Sequence, residues 1–103
     1  MPIEQTLLKE IEQSQRQLNG ANDDTIYRRD RSKRIELINW VLENMKSPDI
    51  NICELIESKM NEIILKINQT HEIFEADRLH SELRILDWIF YQVCKDQQKN
   101  WTY

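Results

Sequence analysis

Few side chains in this sequence stand where they could do chemistry. Asp77 and His80 are three positions apart, which places a carboxylate and an imidazole on one face of a helix. Di-iron bundles use Glu-x-x-His pairs, but they need two, with two further carboxylates facing inward. Here there is one candidate pair, and His71 has no matching spacing. The expectation is a solvated helix face, with no metal and no cofactor. Cys53 and Cys94 have no CxxC partner and fall on apolar stripes. A nucleophilic thiol needs an electropositive, partly open setting, so both read as small core residues that stay reduced. No Ser/His/Asp arrangement stands out, and a single glycine in the chain excludes a glycine-rich phosphate loop. Enzymatic activity is not expected, and no residue is assigned as catalytic.

The remaining conspicuous chemistry is positive charge. The stretch IYRRDRSKR carries Arg28, Arg29, Arg31, Lys33 and Arg34 in a chain whose net charge is −4. On a helix, Arg31 and Arg34 fall on the same face as Ile38 and Met45, while Arg29 and Lys33 point the opposite way. A surface that lies on nucleic acid gathers its cations on one side, because each must reach a phosphate. These wrap the helix instead. They are therefore expected to pair with carboxylates such as Asp77 and Glu82, within the chain or across a dimer, or to steer an acidic protein partner. A second group is aromatic: Trp101 and Tyr103 close the segment 96–103. Aromatic residues are enriched where proteins meet, so this tail is expected to fold back on the domain or dock on another chain.

The elements that position these groups are helices. One glycine and two prolines leave little material for tight β-turns. Ile3, Leu7, Ile11 and Leu18 make a narrow stripe. Pro2 suits a helix start, and Asn19-Gly20 suits a left-handed stop. Tyr27, Ile35, Ile38, Val41, Leu42 and Met45 share a second face, with Leu37 and Trp40 on the other side, before Ser47-Pro48-Asp49 breaks the pattern. Asn51 and Glu54 have capping-box spacing ahead of Ile52, Cys53, Ile56, Met60, Ile63, Ile64 and Ile67. The apolar phase shifts near 68–71, read as a short loop. Ala76, Leu79, Leu83, Leu86, Phe90, Val93 and Cys94 then form a last stripe, with Ile85, Trp88 and Tyr91 outside it. The reading is an all-α four-helix bundle, one domain over 1–103, with helices at about 3–19, 24–46, 51–68 and 71–95.

The second and fourth helices resemble each other. IELINWVLENM (35–45) aligns with LRILDWIFYQV (83–93), so Trp40 falls on Trp88, and the same offset of 48 puts Ile26 on Phe74. This implies two similar helical hairpins related by an approximate two-fold. A hairpin that packs on its copy can also pack on another chain, so a homodimer is a further expectation.

No window reaches the ~18 apolar residues of a membrane span. The start MPIEQTLLKE has no positive region followed by an apolar run, so it does not read as a secretory signal. Together these point to a small cytoplasmic protein of bacterial or phage style that binds another protein stoichiometrically, as an inhibitor, adaptor, antitoxin or immunity protein. Leu37, Trp40, Ile85 and Trp88 would supply contact area and Arg28 to Arg34 the steering. The alternative is a nucleic-acid-binding regulator that uses 28–34.

Overall fold

The computed structural model of the chain describes residues 3–20 and 25–94. They form four helices: α1 (Ile3–Asn19), α2 (Thr25–Met45), α3 (Ile52–Gln69) and α4 (Ile73–Cys94), with no strand among the described residues. The bundle is two antiparallel hairpins packed together, α1 with α2 and α3 with α4. α2 and α4 lie side by side at the centre. They run parallel, because Arg29 near the start of α2 reaches Asp77 near the start of α4 at 3.6 Å, and Lys33 reaches Glu82 at 4.0 Å. α1 also touches α4, and α3 touches α2, whereas α1 and α3 do not meet. Exchanging the two hairpins leaves that contact pattern unchanged.

Central placement explains why the last part of α2 is apolar nearly all round and why α4 carries apolar side chains beyond its main stripe. Each must satisfy its hairpin partner and the other hairpin, so one narrow stripe is not enough. Ile38, Val41, Leu86 and Ile89 are fully buried, together with Leu7 of α1 and Ile56 of α3. Leu37 and Ile85 are buried in the same core. This corrects the expectation that they form contact area for a partner, since the second apolar side of α2 and α4 is consumed where the hairpins join. Ile64, expected on the inner stripe of α3, is instead exposed.

The helix ends follow from local hydrogen bonding. The Asn51 side chain accepts from the Glu54 N–H at 3.2 Å and caps α3. α3 stops at Gln69, and the loop Thr70–Glu72 separates it from α4. The carboxylate of Glu72 accepts from the N–H groups of Phe74 (3.2 Å) and Glu75 (2.9 Å), which sets the start of α4 two residues later than the periodicity suggested. At the end of α1, the Gly20 N–H donates to the Arg16 carbonyl at 3.1 Å. Gly20 does not adopt a left-handed φ, and a Cβ there would meet that carbonyl at an ordinary 3.6 Å. The stop is real, but it does not depend on the conformational freedom of glycine.

The cysteines are not free thiols. Cys53 and Cys94 form a disulfide with Cα atoms 5.9 Å apart, which overturns the expectation of two reduced core cysteines. The reason is topological. An antiparallel α3–α4 hairpin brings the first turn of α3 against the last turn of α4, and each cysteine sits on the facing stripe. That Cα separation is within bridging range. None of the described helices is long and apolar enough to cross a membrane.

Candidate functional site

The basic stretch opens α2, and most of its charge is answered inside the chain. The Arg28 guanidinium donates to the Leu18 carbonyl at 3.1 Å, tying down the C-terminal turn of α1, where unpaired carbonyls favour a cation. Arg29 lies between Asp30 (3.3 Å) and Asp77 (3.6 Å). Lys33 pairs with Glu36 at 2.5 Å and approaches Glu82 at 4.0 Å. Asp77 and Glu82 are the carboxylates that the helix geometry singled out. Glu82 is held from a second side by Arg78 at 2.5 Å, and Arg78 also binds Glu75. That hydrogen bond from Arg78 is the main reason the Glu75 carboxyl is held below the usual glutamate range. The same bond raises Arg78 above the usual arginine value.

The two inward arginines differ. Arg34 crosses to α1 and meets Glu10 at 3.2 Å, with its guanidinium over the Trp88 ring at 5.5 Å. Its pKa is lowered chiefly by burial; Arg31 adds to the lowering, and Glu10 and Asp30 oppose it. Arg31 stacks over Tyr27 at 5.1 Å and makes no ion pair among the described residues. Its Nε is buried and without a hydrogen bond.

Arg31 and Arg34 border a cavity of about 210 Å³ between α2 and α4, together with Asp30, Ser81, Arg84 and Ile85. A larger open groove of about 450 Å³ runs between the start of α1 and the end of α2, with Leu8, Leu42 and Met45 among its walls. Trp40 and Trp88 are half-buried and packed against the core rather than displayed. Trp101 and Tyr103 lie outside the described residues. Among the described residues, no three His, Cys, Asp or Glu side chains gather as metal ligands.

The most exposed large apolar side chains are elsewhere. Ile73 and Phe74, in the first turn of α4, are 81% and 77% exposed. Ile26, in the first turn of α2, is more than half exposed, as is Leu65 near the end of α3. Arg29 is one turn beyond Ile26 and Asp77 is one turn beyond Phe74. Their ion pair therefore places the two first turns at the same end of the bundle. Periodicity alone missed this surface because the apolar phase shift near 68–71 reads as a loop signal. The alignment of Ile26 with Phe74 was its one trace in the sequence, and alignment says nothing about exposure. No protein-family model, curated protein or solved structure matches this chain, so its function rests on the surfaces described.

Proposed function

We propose that this chain is a small interaction protein that acts by stoichiometric binding to another protein, in the manner of an inhibitor, adaptor, antitoxin or immunity protein. The observation that carries the reading is the outward display of Ile73 and Phe74 at the start of α4. Neighbouring apolar side chains exposed at one end of a small domain are the usual mark of an interaction surface. An aromatic ring there is a natural anchor for a partner's pocket. The charges around it are largely committed: Glu72 to the helix start, Glu75 to Arg78, and Asp77 to Arg29. The partner surface that fits is thus an apolar groove or pocket rather than an acidic face. Arg28 to Arg34 act mainly in register and packing, and the nucleic-acid alternative has correspondingly less charge to draw on.

A second copy of the chain is one partner this end could take. Sedimentation separates that case by giving twice the 12.5 kDa monomer mass. The cytoplasmic expectation came from the lack of an apolar span or a secretory signal pattern, and reduced thiols were its corollary. The Cys53–Cys94 bridge counts against that corollary, because disulfides persist mainly in oxidising compartments.

The decisive experiment is co-purification from the native host, followed by titration of the purified pair. A fixed stoichiometry is expected. Burying a Phe side chain contributes roughly 1.5–3 kcal/mol, so Phe74→Ser should weaken the complex at least about tenfold while leaving helicity and melting unchanged. Binding indifferent to Ile73→Ser and Phe74→Ser, yet lost on charge reversal at Arg29 and Lys33 in a folded protein, would return the reading to the basic face.

A further inference from the structure

The cavity between α2 and α4 presents more positive charge than the chain neutralises. Three arginines line it, Arg31, Arg34 and Arg84, against one carboxylate, Asp30. Asp30 is met by Arg29 at 3.3 Å, and Arg34 is met by Glu10 at 3.2 Å. Arg31 and Arg84 are left over: neither has an ion pair or side-chain hydrogen bond among the described residues. Two guanidinium groups without a carboxylate of their own thus border one small, half-open cleft. The Nε–H of Arg31 is buried without an acceptor. The Tyr27 ring, 5.1 Å from its guanidinium carbon, eases the charge but offers that N–H no lone pair. A buried orphan donor in a cationic cleft asks for an anion with several acceptor oxygens.

We propose that this cavity binds one small dianionic oxyanion of the phosphate or phosphomonoester class, gripped by Arg31, Arg34 and Arg84 with Ser81 contributing its hydroxyl. Charge sets the class, since a phosphomonoester carries about −1.5 to −2 at neutral pH, which matches the two cations without a carboxylate of their own. Geometry agrees with it: the planar guanidinium fork suits two phosphate oxygens at once, whereas a lysine would offer a point charge. Size bounds it from above. About 210 Å³ is below the roughly 300–1,000 Å³ of pockets for drug-sized ligands, so the site takes an ion or a small headgroup and not a nucleotide. A nucleic-acid backbone fits poorly, because it is gripped by cations spread along a surface, and these converge on one cleft. The site lies on the α2–α4 seam, apart from the Phe74 surface.

The test is calorimetric and NMR titration of the full chain with inorganic phosphate and with phenyl phosphate. The buffer is free of phosphate and sulfate, and ionic strength is held constant with sodium chloride. Saturable one-to-one binding is expected. Arg84→Gln, at an exposed position, should weaken it at least tenfold without loss of helicity. Arg31→Lys keeps the charge but loses the fork, and should also weaken it. Lys46→Gln, just past the far end of α2, should leave it unchanged. Tighter binding of phenyl phosphate assigns a phosphomonoester, and equal binding assigns the free ion. The proposal is overturned if chloride reproduces the spectral changes, if Arg84→Gln in a folded protein binds as wild type does, or if only a DNA oligonucleotide is retained.

Discussion

Replacing Glu10 by Ala removes the carboxylate that joins α1 to the inward face of α2. Both side chains of the Glu10–Arg34 pair are 21% exposed, so the pair is neither freely solvated nor fully enclosed. A hydrogen bond to a charged group contributes about 1.5–3 kcal/mol, and orphaning one partner of a fully buried ion pair costs about 3–5 kcal/mol. With a fifth of each side chain in water, the lower range applies, and about 2 kcal/mol is expected. Alanine returns only a few tenths of that through helix propensity. Arg34 would remain charged beside Arg31, whose like charge already acts against it. At about 4 °C per kcal/mol for a domain near this size, the melting temperature should fall by roughly 8 °C. Circular dichroism melts of wild type, Glu10→Ala, Arg34→Met and the double variant complete a cycle. The coupling between the two sites should exceed about 1 kcal/mol, and it should survive moderate salt because the pair is mostly shielded. Phosphate should recover more stability in Glu10→Ala than in wild type, since Arg34 is then open to the anion. A melting temperature within about 1 °C of wild type, or additive single effects, would refute the view that this pair fastens α1 to α2.

Three further predictions follow from single contacts. Reducing the Cys53–Cys94 bridge, which spans 41 positions, should cost about 4 kcal/mol by loop entropy, measured as a fall in the denaturant midpoint with and without a phosphine reductant; no change would show that the bridge is not formed in solution. Asn51→Ala should cost about 1 kcal/mol through loss of the α3 cap, seen as faster amide exchange in the first turn of α3, whereas Asn51→Asp should preserve it. The Glu75 carboxyl is held below its ordinary value in the folded state by Arg78, so its contribution is fully present above the unfolded glutamate pKa of about 4.3 and is lost as pH falls through the lower folded value; Glu75→Gln should lower stability near neutrality and converge on wild type in acid, flattening the acid side of the profile.

The local elements were legible because their causes are local. Periodic apolar residues, the Asn51 cap and the Ser47-Pro48 break act within a few residues of themselves, and the helices end within about two residues of where those signals put them. The start of α4 was less legible, because glutamate is a weak cap by reputation and Glu72 acts through its carboxylate. The pairing of Arg29 with Asp77 and Lys33 with Glu82 was foreshadowed by wheel geometry and the 48-residue offset. The disulfide was not, since two cysteines on separate apolar stripes look like core thiols until the direction of the hairpin is known.

By itself, the sequence determined that the chain folds into four amphipathic helices and, apart from Ile64, which stripe of α1 and α3 turns inward, because helix period is written at short range. Tertiary structure decided what each remaining side chain does. It set α2 and α4 parallel at the centre, which consumed Leu37 and Ile85 in the core and left Phe74 in solvent. It joined Cys53 to Cys94, and it matched four of the five cations of α2 to groups on α1, α2 and α4. It brought Arg31 and Arg84 into the lining of one small cleft whose single carboxylate, Asp30, is already met by Arg29. Those outcomes depend on distances between residues far apart in the chain, and such distances exist only once the hairpins have packed.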